Sequence, residues 1–442
     1  GFTQPQTLCK HQNMSGQIFE TPVLTALSGL LARPLEADDL QRARLHLLDW
    51  IGCAVAGAKE PAGMVLRQSD ASGLAFVWGG LGNILEMDDV DKRALLHPGP
   101  SIIPAVLALA DSLQSQDSDL LAAIVRGYEA TIRLGRAVGP AHYAMWHSTG
   151  TCGAIGAAAA CANLLGLDET RTGHALALAM SQSAGLWHTR HDAASMGKQL
   201  HTSVAARAGL DAARLAQLGF QGPLNILEGE QGFFQAMCPD GEPRQVLVDQ
   251  ADWMIHDVSF KPWPACRHAH AAIDAALELR DRIALDQIDR ITVRTYADAL
   301  KFCDRPSPET VIEAKFSLQH SVATTLVRGA PALEDFSTDS IQAPDLSALR
   351  AKVEVEIGAD YQDRYPARFG AEVSANGETV IMADALGDPE NPIAEAQLVE
   401  KAESLMRAGG MSDESSRALS AMVMSDDMSI GDLMPRLREV LT

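Results

Sequence analysis

The chain is short of positive charge, of paired cysteines and of long apolar runs, and each shortage removes a class of function. Its 36 Lys and Arg stand against 57 Asp and Glu, a formal net charge of -21 over 442 residues. Nucleic acids are held by clustered cations that displace counterions, so this balance argues against a nucleic-acid partner. The seven cysteines, Cys9, Cys53, Cys152, Cys161, Cys238, Cys266 and Cys303, are odd in number, widely spaced and without a CxxC pair, a pattern that fits a reducing cytoplasm. No apolar run reaches the roughly 18–20 residues needed to span a bilayer, and no basic stretch leads into an apolar one at the N-terminus. The sequence therefore predicts a soluble, unexported cytoplasmic protein with no membrane partner. The residues ahead of Met14, which opens MSGQIFETPV, are read as vector-derived or as a processed leader and take no part in the functional reading.

Several chemical signatures are missing as well. There is no GxxxxGKS/T loop or strand-linked GxGxxG, so no nucleotide cofactor is implied, and no GxSxG elbow for a nucleophilic serine. Neither an EF-hand nor an HExxH pattern occurs, and the acidic run EMDD alone lacks the ligand spacing of a metal site. The expectation is an enzyme with no metal and no cofactor.

What is present is a hydrophobic fraction of 47%, enough for two domains with cores that need no covalent staples. From Thr21 to about residue 235 the chain is rich in Ala and Leu at helical spacing, as in LQRARLHLLDWIGCAVAGA and DLLAAIVRGYEATIRLGRAVG. Dense small residues in STGTCGAIGAAAACANLLGL and SVAARAGLDAARLAQLGF predict helices in close contact. After Trp253 the period changes: IDRITVRTY and KVEVEIG alternate like strands, and ARFGAEVSANGETVIMADA reads as two strands around an Asn-Gly turn. Helical spacing resumes in PIAEAQLVEKAESLM. The predicted fold is mainly α with an α+β part: a large all-helical domain from residues 15–265 and 392–442, and a smaller α/β domain, residues 266–391, inserted near the C-terminal part.

In so acidic a protein, places where basic residues collect carry information. Glu86, Asp88 and Asp89 precede His97, whose His-Pro-Gly opens an apolar helix. His142 and His147 precede Ser-Thr-Gly-Thr, a run suited to capping a Gly-rich helix start that favours anions. Lys198 and His201 begin an Ala-rich helix. Lys261, Arg267, His268 and His270 crowd one stretch, as anion recognition requires. Lys315 and His320 fall on one predicted helix. Taken singly, each cluster also fits solvated carboxylates or core histidines.

In order, DWIGCAVAGA, the acidic segment running into HPGPSIIPAVLALAD, GYEATIRLG, WHSTGTCGAIGAAAA, GKQLHTSVAARAGLDAARLAQLGFQGP with ILEGEQGFF, KPWPACRHAHAAIDA and GDPENP resemble the MmgE/PrpD family over nearly the whole chain. The resemblance implies an active site between a helical and an α/β domain, a homodimer, and a small anionic polycarboxylate as substrate. Its site residues fall on the EMDD segment, His97, His147, Lys198, Lys261 and His320. Lys198, Lys261, His97 and His147 are thereby expected to carry the chemistry, with Glu86, Asp89, Arg267, His268 and His320 shaping the substrate pocket. The chain departs from the family where dehydratases and decarboxylases read DFDDT and this sequence has Glu86-Met87-Asp88-Asp89-Val90, and where the decarboxylase Tyr is His320. Those losses lead to the expectation of an epimerase resembling iminodisuccinate epimerase, which needs only a base, an acid and cations around an enolate-like intermediate. The alternatives are a 2-methylcitrate-type hydroxy-acid dehydratase and a non-catalytic ligand-binding relative.

Overall fold

A computed structural model describes residues 21–69, 73–192 and 195–442; the residues ahead of Met14, and Cys9 among them, lie outside that range. Buried apolar side chains sort into two cores. One gathers residues between Val23 and Val258 and is completed by residues from Ala402 to Leu441; the other gathers residues between Ala265 and Ala385. The protein is mainly α with a small α/β part.

The first core is a stack of long helices, Ala37–Gly57, Gly99–Leu113, Asp117–Ala137, Ser148–Leu164 and Gly197–Gln217. Ser148–Leu164 lies at its centre, buried on all sides along most of its length, which is why its sequence has no polar face. Small residues let the backbones touch: a methyl group on Gly127 would lie 2.8 Å from the Gly156 carbonyl oxygen, and one on Gly209 only 2.4 Å from Ala157 Cβ. The C-terminal helix Glu395–Ala408 returns to the first of these helices, where Gly52 faces Ala402 at similarly short range. Among the described residues no helix is long and apolar enough to cross a membrane.

The second core lies under a four-stranded sheet, β1 (Ile291–Thr295), β2 (Val353–Ile357), β3 (Ala371–Ala375) and β4 (Glu378–Met382), in the order β2-β1-β3-β4. β1 runs parallel to β2 and antiparallel to β3. Asn376 and Gly377, both at positive φ, make the tight turn between β3 and β4 expected from the Asn-Gly pair. Helices His270–Arg280 and Leu318–Arg328 complete this domain. Two local expectations change. Lys315 ends one short helix and His320 belongs to the next, because Ser317 Oγ accepts the His320 N–H at 3.0 Å and starts a new helix. The Ser-Thr-Gly-Thr run does not cap its helix: His147 takes the cap position and the run forms the first turn.

Each core encloses an imidazole. His46 stacks on Phe260 and bonds to Asp89, and burial holds it at about 4 although the carboxylate pulls the other way. His268 lies flat between Phe302 and Phe369, bonded to the Tyr296 hydroxyl at 2.7 Å, and burial again holds it at about 4. An unfolded imidazole takes its proton near pH 6.5, so between those values the unfolded chain binds more protons than the folded one. Stability is therefore expected to fall as pH drops from about 6.5 to about 4, by up to about 3 kcal/mol per buried imidazole, and a flat series of urea midpoints over that window would refute this. Gly209→Ala is expected to cost about 1–3 kcal/mol in the same assay, through overpacking of the helix crossing.

Candidate active site

The loop that leads into helix Gly99–Leu113 carries the acidic residues, and its backbone is held by three lysines from distant parts of the chain. Lys315 Nζ donates to the Leu85 carbonyl at 3.1 Å, Lys261 to that of Glu86 at 2.7 Å and Lys401 to that of Met87 at 2.7 Å. Three successive carbonyls thus each receive a buried ammonium. Glu86 between them sits at φ 60, a strained conformation for a residue with a side chain, and is kept there by its neighbours. Lys401 also bonds to Asp49 at 2.5 Å. Asp89 points away from this loop into the large core, where His46, the Tyr128 hydroxyl and the Gly99 N–H surround its carboxylate. It holds the start of the following helix in place, an anion at a helix N-terminus.

The side chains that remain meet beside this loop, on the side of the first core. Lys198, on the first turn of helix Gly197–Gln217, pairs with Glu86. His97 turns Nδ1 toward Asp88 Oδ2 at 3.0 Å and the Asp89 carbonyl at 2.9 Å, so this nitrogen is the donor and Nε2 is directed elsewhere. Asn83 donates to Asp88 at 2.7 Å, and Lys261 lies 3.9 Å from the other Asp88 oxygen. Burial alone would raise both carboxyls. For Glu86 the charges of Lys198, Lys261 and His97 together outweigh it, for Asp88 those of His97, Lys261 and Lys198 do, and both end below their ordinary range. His147 behaves in the opposite sense: burial, followed by the charge of Lys198, pushes it well below 6.5 and leaves a neutral ring. That ring packs on Trp187 with centroids 4.5 Å apart, and its Nδ1 lies 3.1 Å from Nδ1 of His201. Asp88 Oδ1, Ser148 Oγ and Trp187 Nε1 are buried without a hydrogen-bond partner, which leaves polar capacity for a ligand.

The structure thus brings together Glu86, His97, His147, Lys198 and Lys261 from the residues expected of the site. It does not bring Asp89, Arg267, His268 or His320 to them. Arg267 is paired with Asp388, which Lys92 and Ser259 also contact, in a polar strut between the domains. His268 belongs to the aromatic core of the small domain. His320 bonds to the Asp335 carbonyl at 2.8 Å and to Arg350 at 3.1 Å, within the same domain. Sequence reading passed over Lys401, which sits in an amphipathic helix and reads as a solvated lysine. It also passed over Tyr143, edge-on to Trp187, and Arg190, whose guanidinium lies over Trp187 of the large domain and Phe302 of the small one at 5.5 and 5.7 Å. Among the described residues no carboxylate is in ion-pair contact with Arg190. The Cys303 thiol bonds to Cys266 and draws the latter below its ordinary range against the effect of burial.

Removing one partner of a buried charge pair strands the other. Lys401→Met is expected to cost about 3–5 kcal/mol in urea unfolding by leaving Asp49 and the Met87 carbonyl unpaired, whereas Lys59→Met on the surface changes stability by about 0.5 kcal/mol or less. Equal losses in the two variants would dismiss the carbonyl clamp.

The chain is similar to several known proteins. The chain is 29% identical over 378 residues to cis-aconitate decarboxylase from Homo sapiens, covering 76% of each protein. It is 27% identical over 372 residues to cis-aconitate decarboxylase from Aspergillus terreus, covering 74% of this chain and 76% of the relative. To 2-methylcitrate dehydratase from Cupriavidus necator it is 25% identical over 328 residues, covering 70% of this chain and 64% of the relative. Residues 26–246 match the MmgE/PrpD N-terminal domain and residues 263–427 the MmgE/PrpD C-terminal domain, and the chain belongs to the MmgE/PrpD family.

Proposed function

We propose that this protein is a lyase that removes the proton beside a carboxylate of a small hydroxy-polycarboxylic acid and expels the hydroxyl group, with no cofactor taking part. The observation that carries the reading is the pairing of one neutral imidazole, His147, with one carboxylate-supported imidazole, His97, beside the ammonium groups of Lys198 and Lys261. An elimination needs those parts: a base for the C–H proton, an acid for the departing oxygen, and cations for the substrate carboxylates and the charge that develops on them. His147 Nε2 serves as the base. His97, held by Asp88 and the Asp89 carbonyl through Nδ1, turns Nε2 to the leaving hydroxyl and gives it the proton with which it departs as water. Lys198 and Lys261 hold the carboxylate next to the reacting carbon, and Ser148 Oγ, buried and unpartnered, adds a donor.

The epimerase expected from the sequence gives way for two reasons. The relatives reported above are named for decarboxylation and dehydration, both of which break a bond beside a carboxylate. The two departures that favoured an epimerase also lose their force. Glu86 keeps a carboxylate on Lys198, and His320 bonds to its own domain and takes no part in the cluster. A second reading, decarboxylation of an unsaturated tricarboxylate, is favoured by the somewhat higher identity to the decarboxylases. In it the same cations bind the acid and an imidazole returns a proton to carbon.

The test is turnover of 2-methylcitrate, citrate, cis-aconitate and iminodisuccinate, followed by alkene absorbance, released CO2 and proton NMR in D2O. Alkene without CO2 is the expected result, and CO2 from cis-aconitate selects the second reading. Isomer interconversion of iminodisuccinate with no bond broken overturns the lyase, and ligand-induced stabilisation with no turnover of any substrate indicates a binding protein. Lys198→Met and Lys261→Met are each expected to lower kcat/KM by about a hundredfold or more. Unchanged turnover in both removes them from the site.

A further inference from the structure

His147 is 1% exposed, so while substrate fills the cleft a proton that it takes has no direct way into solvent. Its Nδ1 faces Nδ1 of His201 at 3.1 Å, and two ring nitrogens at that distance share a single proton, one donating and the other accepting. His201 stands at the start of the second turn of helix Gly197–Gln217, three residues beyond Lys198. Its ring is half-buried and forms part of the wall of a second cavity of about 720 Å³, lined also by Trp146, Gln182, Leu186, His188 and Leu200. Neither Lys198, Lys261, His97 nor His147 lines that space, and several residues that do, Leu186 among them at 56% exposure, are open to solvent. His201 therefore separates the buried base from an outer, water-accessible cavity.

The surrounding backbone leaves room for this arrangement. Gly185, at φ 138, accepts the His147 backbone N–H through its carbonyl at 2.8 Å, and a methyl group there would lie 3.4 Å from His201 Nδ1. A methyl group on Gly150 would come within 3.1 Å of His201 Cβ. Gly185 thus holds a conformation that side chains rarely adopt, and Gly150 admits the Ala184 carbonyl, which would lie 2.6 Å from a methyl group there.

We infer that His147 and His201 form a proton relay from the substrate cleft to the second cavity. The inference rests on the proton-abstracting role of His147 given above. In the resting pair His147 carries its proton on Nδ1 and His201 on Nε2. The substrate C–H proton bonds to His147 Nε2 and its electron pair stays on carbon; the Nδ1 proton crosses to His201 Nδ1, and the His201 Nε2 proton leaves to water in the cavity. After product release, water in the cleft takes the His147 Nε2 proton, the shared proton returns to His147 Nδ1, and cavity water protonates His201 Nε2. During the chemical step one proton thus moves outward and the buried base never becomes charged; in the reset one proton re-enters from the cavity and one leaves through the cleft that the product has vacated, while the proton on the departing water comes separately from His97.

The test compares His201→Asn and His201→Ala with the intact protein. Asparagine keeps a polar group near the Nδ1 position but cannot conduct, and alanine opens a hole toward the cavity that free imidazole can fill. Both are expected to lower kcat by about tenfold or more, with KM within about twofold, and added imidazole is expected to restore the alanine variant but not the asparagine one. Wild-type kcat in both variants, or a loss that imidazole does not repair in a folded alanine variant, overturns the relay. A parallel 15N NMR measurement of ring-proton exchange at His147 needs no turnover and stands even if no substrate in the panel reacts, the outcome that would count against the lyase instead. There His201→Asn is expected to slow exchange with water about tenfold, and an unchanged rate overturns the relay. If the alanine variant does not fold, the asparagine variant decides by both kcat and exchange.

Discussion

Three ammonium groups on three consecutive carbonyls hold this molecule's chemistry in place. Lys315, Lys261 and Lys401 come from the small domain, the crossing between domains and the returning C-terminal helix, and they meet at Leu85, Glu86 and Met87. A lysine is rarely buried, because the desolvation of its charge must be balanced by good acceptors. Here each is balanced by a carbonyl and by carboxylates nearby, so the loop, the lysines and both domains stabilise one another. The clamp also explains how Glu86 stays at a positive φ with its side chain on Lys198. Without it, that residue would relax and the ion pair would have no fixed position.

This clamp also sets the electrostatics of the cleft. Anions and cations lie within a few ångströms in a poorly solvated region, where their mutual effects are large. Glu86 and Asp88 are kept ionised by the cations around them, while the neighbouring His147 is kept neutral by burial and by the same Lys198 charge. Two imidazoles in one cleft are thereby separated into different roles, one leaning on a carboxylate and one on another imidazole. In a strongly acidic protein, Lys261, Lys315 and Lys401 thus gather as buried cations around one loop.

Much of the fold was legible in local pattern. Helical spacing in the Ala-rich half, alternation in VEVEI and the Asn-Gly turn each reflect backbone geometry that a few residues determine, and the corresponding elements are present. The site was legible in part. Lys198, His97 and His147 stand at helix starts, where the termini of different helices converge, and this made them visible. Arg267, His268 and His320 lie in equally basic stretches, yet their side chains turn to Asp388, to an aromatic stack and to a carbonyl. Nothing within a few residues separates a histidine that faces a cleft from one that faces a core, because the difference is made by residues far along the chain.

The sequence by itself determined the class of elements, the acidic net charge and the family to which the chain belongs. Those follow from short-range periodicity, from composition and from motifs in register, which survive without knowledge of what packs against what. The tertiary structure decided which polar groups meet. Lys401 and Asp49 are 352 positions apart and bond at 2.5 Å, and the His147–His201 contact spans 54 positions. Such pairings depend on how helices cross and how closely glycine lets them approach, and burial then sets the charge state of each group that is brought together.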